Sequence, residues 1–108
     1  MKIIRQGDVL LVPVYNCVEG QVEKYPEYTV AYGDVTGHHH TCYPTQEGVK
    51  TFIDTWLDAN GSRFVRFDTE YVMRHQEHKE VRIVPGIYKI QIEKEYDPFE
   101  KKMRKVID

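Results

Sequence analysis

The sequence predicts an all-β fold, built as a small barrel or sandwich of about seven or eight short strands. β-Branched and aromatic residues recur in short runs, and each run is ended by Gly, Pro or Asn, which is typical of strands separated by turns. The length of 108 residues fits a single β domain over residues 1–108. No internal repeat, low-complexity tract or linker divides the sequence.

Charge and composition exclude several classes of protein. The 15 basic and 17 acidic side chains give a formal charge of −2, whereas domains that bind nucleic acid through its phosphates are usually basic. No apolar stretch reaches the ~18–20 residues of a membrane helix. The N-terminal apolar run is interrupted by Asp8 and Pro13, unlike that of a signal peptide. With its two cysteines, we expect a cytoplasmic protein with reduced thiols, and neither a nucleic acid nor a membrane as partner.

The apolar runs place the strands along the chain. Glu19 to Pro26 is polar and is interpreted as a loop or a short strand, and Pro44 to Gly48 is a turn by composition. The runs interpreted as strands are Asp8 to Tyr15, Glu27 to Tyr32, Arg63 to Phe67, Tyr71 to Arg74, Val81 to Val84 and Ile87 to Ile92.

Two segments leave helix and strand open. Val49 to Asp58 has apolar residues at helical spacing, yet its Thr, Phe, Ile and Trp residues favour a strand. The Asn60-Gly61 pair that follows is typical of a two-residue type I′ hairpin turn, so we favour a hairpin over a helix. At the end of the chain, Phe99, Met103 and Val106 have helical spacing, and a short C-terminal helix or an edge strand would fit.

The alternation within the runs predicts which side chains form the core. Exposed strand edges in such a small sheet could also be covered by a second copy of the chain, so a homodimer is an open alternative. The predicted core consists of Val9, Leu11, Val30, Phe52, Trp56, Phe64, Val72, Ile83, Tyr88 and Ile90.

All five histidines lie in two short segments, 38–40 and 75–78. On a strand, His38 and His40 project to one face and His39 projects to the other. His38 and His40 could therefore act as neighbouring metal ligands. His75 and His78 converge only if the residues between them form a bend. The alternatives are a solvated histidine loop with an unrelated pair later in the chain, and a metal-free histidine acid–base site.

Imidazoles with one carboxylate suit a divalent transition metal such as Zn, Fe, Ni or Mn rather than Mg or Ca. The predicted metal ligands are His38, His40, His75 and His78, and the candidate catalytic residues are Glu77 and His75. In the catalytic hypothesis, His38, His40 and His78 hold the metal, while His75 or Glu77 is the fourth ligand or the general base.

Cys42 continues the alternation of His38 and His40 and would share their face. A thiolate ligand or a disulfide with Cys17 is geometrically open. The favoured interpretation is a small buried hydrophobic side chain.

Five segments in fixed order carry a family resemblance. They are Gln6-Gly7-Asp8-Val9-Leu10-Leu11, Gly33-Asp34-Val35-Thr36-Gly37-His38-His39-His40, His75-Gln76-Glu77-His78, Pro85-Gly86-Ile87-Tyr88 and Glu95-Tyr96. The chain thereby resembles a family of small, mostly uncharacterised bacterial and bacteriophage proteins, with Asp34 where their pattern has Glu and Glu93 where it has Gln. It is more loosely similar to the cupins, β-barrels whose metal lies on an H-x-H pair, a glutamate and a distant histidine. Pro44 and Thr45 stand where the cupin glutamate is expected.

Two functions follow from these observations. The first is a small metal-dependent enzyme that hydrolyses or isomerises a small polar molecule. The second is a non-catalytic module that binds or sequesters a small ligand, or docks on a protein, with a structural metal. The phage setting that the resemblance implies makes the second function plausible as well. The expected partner is a small molecule, as the substrate of the enzyme or as the ligand of the non-catalytic module.

Overall fold

The computed structural model describes residues 2–17, 19–33, 37–46, 48, 50–97 and 102–105, with backbone only for 94–97 and 102–105. Every strand pair within them is antiparallel. The strands are β1 (Ile4–Gln6), β2 (Val9–Pro13), β3 (Glu23–Tyr25), β4 (Tyr28–Tyr32), β5 (His39–Pro44), β6 (Ile53–Leu57), β7 (Arg63–Phe67), β8 (Tyr71–Arg74), β9 (Val81–Ile83), β10 (Gly86–Ile92), β11 (Lys94–Asp97) and β12 (Lys102–Lys105).

Ten of these strands form a sandwich of two sheets. One sheet has six strands in the order β1-β2-β10-β7-β6-β3, and the other has four in the order β4-β5-β8-β9. The all-β prediction is confirmed, as a sandwich rather than a closed barrel, because no hydrogen-bonded strand pair in the described residues joins the two sheets. The count exceeds seven or eight because the three-residue strand β1 has too few apolar residues to be recognised in the sequence. Strand β3 decides the open choice for Glu19 to Pro26 in favour of a short strand at Glu23–Tyr25.

The core lies between the two sheets and draws side chains from both. Val9, Leu11, Val65 and Tyr88 of the six-stranded sheet belong to the same buried cluster as Met73 of the four-stranded sheet. Nine of the ten predicted core residues are buried, six of them in this cluster and three, Trp56, Phe64 and Val72, outside it. Alternation along strands with one covered face explains the six. The buried ones are Val9, Leu11, Val30, Trp56, Phe64, Val72, Ile83, Tyr88 and Ile90.

The prediction for Phe52 is wrong, because this side chain is 46% exposed. Strand β6 begins one residue later, at Ile53, and Ile53 is the residue that enters the core. A shift by one residue along a strand turns a side chain to the other face. For Val49 to Asp58, where helix and strand were both open, the structure has a strand at Ile53–Leu57. Val49 itself lies outside the described residues.

Strands β6 and β7 form the predicted hairpin, with a different turn. The Gly61 amide donates to the Asp58 carbonyl at 3.1 Å, and the Asp58 amide donates to the Ser62 carbonyl at 3.0 Å. The loop is therefore three residues long, with Gly61 at a φ of 80° in the left-handed position. The type I′ prediction is wrong, because the Asp58 carboxylate accepts from the amides of Asn60 and Ser62 and favours this longer loop.

Trp56 and Phe64 are buried on the outer face of the six-stranded sheet. Their rings stack with centroids 5.9 Å apart, and the Arg66 guanidinium lies 5.4 Å from the Trp56 ring centre. Arg66 also bonds Asp54 on the neighbouring strand and Glu19 in the loop after β2. The ion pairs thus tie this loop over the aromatic pair.

Near the end of the chain, the described residues form strands and not the short helix that was one of two alternatives. Strands β11 and β12 pair as a separate two-stranded sheet, so the helix alternative is wrong at Lys102–Lys105. Phe99 and Val106, on which the helical spacing rested, lie outside the described residues. Among the residues described, no helix has the length and apolar character needed to cross a membrane.

Gly20 holds the loop after β2 close to strand β6. A Cβ atom at this position would lie 2.5 Å from the Leu57 carbonyl oxygen, which belongs to the backbone and cannot move aside. We expect Gly20→Ala to lower the free energy of unfolding by about 1–3 kcal/mol, measured by thermal denaturation. Gln21→Ala, at the exposed next residue, is the control. Equal melting temperatures for Gly20→Ala and the wild type would contradict the close approach.

Candidate functional site

Four histidines meet at one end of the sandwich. His40 lies on β5, His38 directly precedes that strand, and His75 and His78 lie in the loop between β8 and β9. The His40 ring centre is 4.4 Å from that of His75 and 6.1 Å from that of His78. The His75 ring is 4.7 Å from His78 and 5.3 Å from His38. The structure therefore brings together the two histidine segments that the sequence keeps apart.

Gln6 fixes the orientation of the His40 ring. The Gln6 Nε2 group donates to the carbonyl oxygens of Met73 and Lys79, at 2.8 and 2.9 Å. The Gln6 Oε1 atom is then the acceptor facing His40 Nδ1, at 2.9 Å. An amide oxygen cannot donate, so Nδ1 of His40 carries a proton and Nε2 is the atom available for a proton or a metal.

Asp8 faces that second nitrogen. Its Oδ1 atom lies 3.3 Å from His40 Nε2, and both side chains are 0% exposed. Asp8 reaches this position because Gln6 and Val9 pair directly, which leaves Gly7 and Asp8 as a two-residue turn at the edge of the histidine cluster. Two lone pairs at this distance would repel each other, so a proton or a cation has to lie between the carboxylate and the imidazole.

The loop between β8 and β9 contains the bend that the second histidine pair requires. The Glu77 amide donates to His75 Nδ1 at 3.1 Å, so in the neutral ring of His75 the proton is on Nε2. The Gln76 side chain accepts from the His39 amide at 2.8 Å and ties the loop to β5. In this tautomer, Nδ1 of His75 is the hydrogen-bond acceptor and Nε2 is the hydrogen-bond donor.

The rim of the cluster is accessible to solvent. The side chain of His38 is 17% exposed and that of Glu77 is 60% exposed, with His38 Nε2 and Glu77 Oε1 4.0 Å apart. Glu77 thus lies at the mouth of the site, whereas His40 and Asp8 lie at its base.

His39 is held away from the cluster. Its Nδ1 atom is 2.5 Å from Thr41 Oγ1, and its ring contacts that of Tyr32 at 6.5 Å. This placement follows from the alternation along β5, which turns His40 and Cys42 inward and His39 to the other face.

Cys42 is a buried thiol in the core. It is 0% exposed, and burial raises its pKa to about 12. Cys17 and Cys42 are both free, so the disulfide alternative is wrong. A thiol that stays protonated at neutral pH is a poor metal ligand, and this agrees with the interpretation of Cys42 as a small hydrophobic side chain.

The four rings and the Asp8 carboxylate do not yet form a complete ligand set. Within the described residues, no three His, Cys, Asp or Glu side chains are arranged so that they could hold a metal ion. His40 Nε2 and Asp8 Oδ1 lie 3.3 Å apart, and no third side chain of the described residues completes such a group with them.

Comparison with known proteins identifies a family. Residues 5–93 match the model of a domain of unknown function, DUF8820, and this range includes both histidine segments, Gln6 and Asp8. The chain belongs to the DUF8820 family. No curated protein and no solved structure matches it. The match supports the predicted resemblance to a family of uncharacterised proteins, while the bacterial and bacteriophage origin stays a prediction.

Two residues of the site were missed by the sequence analysis as functional candidates, namely Gln6 and Asp8. The available signal was an acidic residue directly before the apolar run of β2, at a position where a buried charge is costly. That signal needs the register of β1 against β2 before it can be connected to His40, and β1 was not recognised. Members of DUF8820 that keep Gln6 and Asp8 would be expected to share this arrangement.

The Gln6 side chain is expected to hold this end of the sandwich together. Gln6→Leu leaves the Met73 and Lys79 carbonyls and the His40 Nδ1–H group without their partner. We expect the free energy of unfolding to fall by at least about 2 kcal/mol, measured by urea denaturation. Gln91→Leu, at an exposed position of β10, should change it by less than about 0.5 kcal/mol. A small effect of Gln6→Leu, equal to that of the control, would refute the bridging role.

Proposed function

We propose that this protein binds one divalent transition metal ion, such as Zn, Fe, Ni or Mn, in the histidine cluster and uses it to hydrolyse or isomerise a small polar molecule. The observation that carries the proposal is the buried pair of His40 Nε2 and Asp8 Oδ1, 3.3 Å apart, with His40 Nδ1 already engaged by Gln6. Metal-bound histidines commonly donate a hydrogen bond from the N–H group of their other ring nitrogen to such an oxygen, which orients the ligating nitrogen.

The spacing of the pair suits two ligands of one ion. With metal–ligand bonds of about 2.0 Å, neighbouring ligand atoms of a tetrahedral site lie about 3.3 Å apart. The nitrogen and oxygen of His40 and Asp8 have this separation. A cation at this point would also neutralise the buried carboxylate, whose charge is otherwise costly in the interior.

Ring spacing supports further imidazole ligands. Two imidazoles on one tetrahedral ion have ring centres about 5 Å apart, by the same bond lengths. The His40 and His78 ring centres are 6.1 Å apart, so a rotation of the His78 side chain would bring both rings to one ion. His38, whose ring lies 5.3 Å from that of His75 in the same cluster, is proposed with His78 as a remaining ligand, beside His40 and Asp8.

His75 has a different proposed role from the other three histidines. Its Nδ1 accepts from the Glu77 amide, so its Nε2 presents an N–H group to the interior. We assign His75 as a hydrogen-bond donor to a bound substrate or ligand oxygen. His75 as a metal ligand, the original expectation, would require the loss of the Glu77 amide bond.

Glu77 is proposed as the general base at the mouth. A metal ion of this kind polarises a carbonyl or phosphoryl oxygen and activates water when it is bound. The exposed Glu77 carboxylate lies next to His38 and can take a proton from a molecule that enters there. A buried carboxylate such as Asp8 cannot exchange protons with solvent as readily, which separates the two acidic residues into ligand and base.

The first test compares two adjacent histidines. Untagged protein is loaded with Zn²⁺ or Co²⁺, and the bound metal is measured by mass spectrometry of metals and by the visible spectrum of Co²⁺. We expect about one ion per chain, lost in His40→Ala and in Asp8→Asn.

His39→Ala is the matched control, because this ring lies outside the cluster and contacts Thr41. It should keep the full metal content and the Co²⁺ spectrum. If His39→Ala and His40→Ala lose metal equally, binding is a surface property of the histidine run and the site is wrong. Thermal melting of each variant shows that a lost metal is not simply a lost fold.

The second test concerns Glu77. The metal-loaded protein is assayed with p-nitrophenyl acetate and p-nitrophenyl phosphate, and Glu77→Gln should lower the rate of hydrolysis at least about tenfold while keeping the metal. Glu80→Gln, at an exposed carboxylate paired with Arg74, should keep the rate. Metal binding with no turnover in the wild type would contradict the catalytic part and favour a ligand-binding module.

A further inference from the structure

A cavity lies at the edge formed by β6 and the short strand β3, at the opposite end of the sheet order from β1. Among the described residues, strand β3 pairs with Ile53, Asp54 and Thr55 of β6 and leaves Trp56 and Leu57 without a neighbouring strand on that side. The notch opens into a cavity of about 460 Å³, within the ~300–1,000 Å³ typical of small-molecule sites. None of its lining residues belongs to the histidine cluster.

Aromatic rings form the apolar part of the lining. Tyr25 and Tyr28 lie with ring centres 5.2 Å apart and a tilt of 33° between their planes. Trp56 and Phe64, which stack on each other, also line the cavity. Rings of this kind offer flat faces that a planar ligand can contact at little entropic cost.

Arg63 supplies a fixed hydrogen-bond donor. Its Nη2 group donates to the Tyr28 hydroxyl and to the Val30 carbonyl, each at 2.9 Å, and its guanidinium lies 5.6 Å from the Tyr28 ring centre. In the described part of the chain, no residue accepts from Nε or Nη1 of Arg63. These N–H groups are therefore held in place and remain available to a carbonyl oxygen of a ligand.

Glu23 supplies an acceptor in the same cavity. Its carboxylate lines the cavity and is held by the Tyr25 hydroxyl, which limits its rotation. An ionised carboxylate only accepts hydrogen bonds, so it selects ligands that carry N–H groups. The cavity thus combines an acceptor-only group, a donor-only group and aromatic faces.

We propose that this cavity binds a planar heterocycle of the guanine type, in which N–H donors stand beside a carbonyl acceptor, stacked on the tyrosine rings between Glu23 and Arg63. The carboxylate of Glu23 accepts from the ring and amino N–H groups, while Arg63 donates to the carbonyl oxygen. Adenine lacks this arrangement, because its ring nitrogen at the corresponding position is an acceptor and faces the carboxylate unfavourably.

Trp56 is the only tryptophan in the sequence, so its fluorescence reports on this cavity directly. We would titrate guanosine, adenosine and uridine, with excitation at the red edge of the tryptophan band and a correction for nucleoside absorbance. Guanosine is expected to quench or shift the emission and to bind at least about tenfold more tightly than adenosine.

Glu23→Gln tests the proposed selectivity, at an exposed position where the fold should tolerate the change. It should weaken guanosine binding about tenfold and narrow the preference over adenosine. Glu70→Gln, at a carboxylate paired with Arg82 on the other sheet, is the control and should bind guanosine like the wild type. Equal binding of guanosine and adenosine, an unchanged affinity in Glu23→Gln, or no response to guanosine at saturation would each overturn the proposal.

Discussion

The side-chain amide of Gln6 is the contact on which this end of the molecule depends. It lies on β1, at the edge of the six-stranded sheet, and donates to two carbonyls of the four-stranded sheet and its loop. No strand pairing joins the two sheets in the described residues. The hydrogen bonds of this buried amide connect them instead, at the corner where β1 approaches β9. Its oxygen is thereby directed at His40, and the geometry of the candidate site follows from the way in which the sandwich is closed.

The buried pair of Asp8 and His40 is costly for the stability of the fold. Asp8 and His40 are both fully buried, and neither would be stable there as an isolated ion. An apolar pair of similar volume would often fold as well or better, so the polar pair is not explained by stability alone. The buried pair therefore supports the proposed metal site more strongly than the proximity of the four histidine rings does.

The sequence predicted those features that depend on alternation along one strand. Alternation placed His40 and Cys42 on the inner face and His39 on the outer face, and nine of the ten predicted core residues are buried. It failed where the start of a strand decided the face, as at Phe52, and where a carboxylate reshaped a turn, as Asp58 does around Gly61. Asp8 was missed for another reason: its contact with His40 spans the two sheets, and no local pattern reports which turn of one sheet will meet which strand of the other.

The two proposed sites lie at opposite ends of the six-stranded sheet and differ in how that end of the sheet is covered. At the β1 corner, the sheets are joined by buried hydrogen bonds, and the polar groups there face inward, where water is excluded and electrostatic interactions are strong. At the β3 edge, the sheet ends early, and the exposed strand edge is bordered by aromatic rings and charged groups instead of another strand. A short edge strand also limits pairing with a second chain. The same shortness of β3 therefore protects the edge and opens the cavity, which makes a ligand the natural occupant of the space that a longer strand would fill.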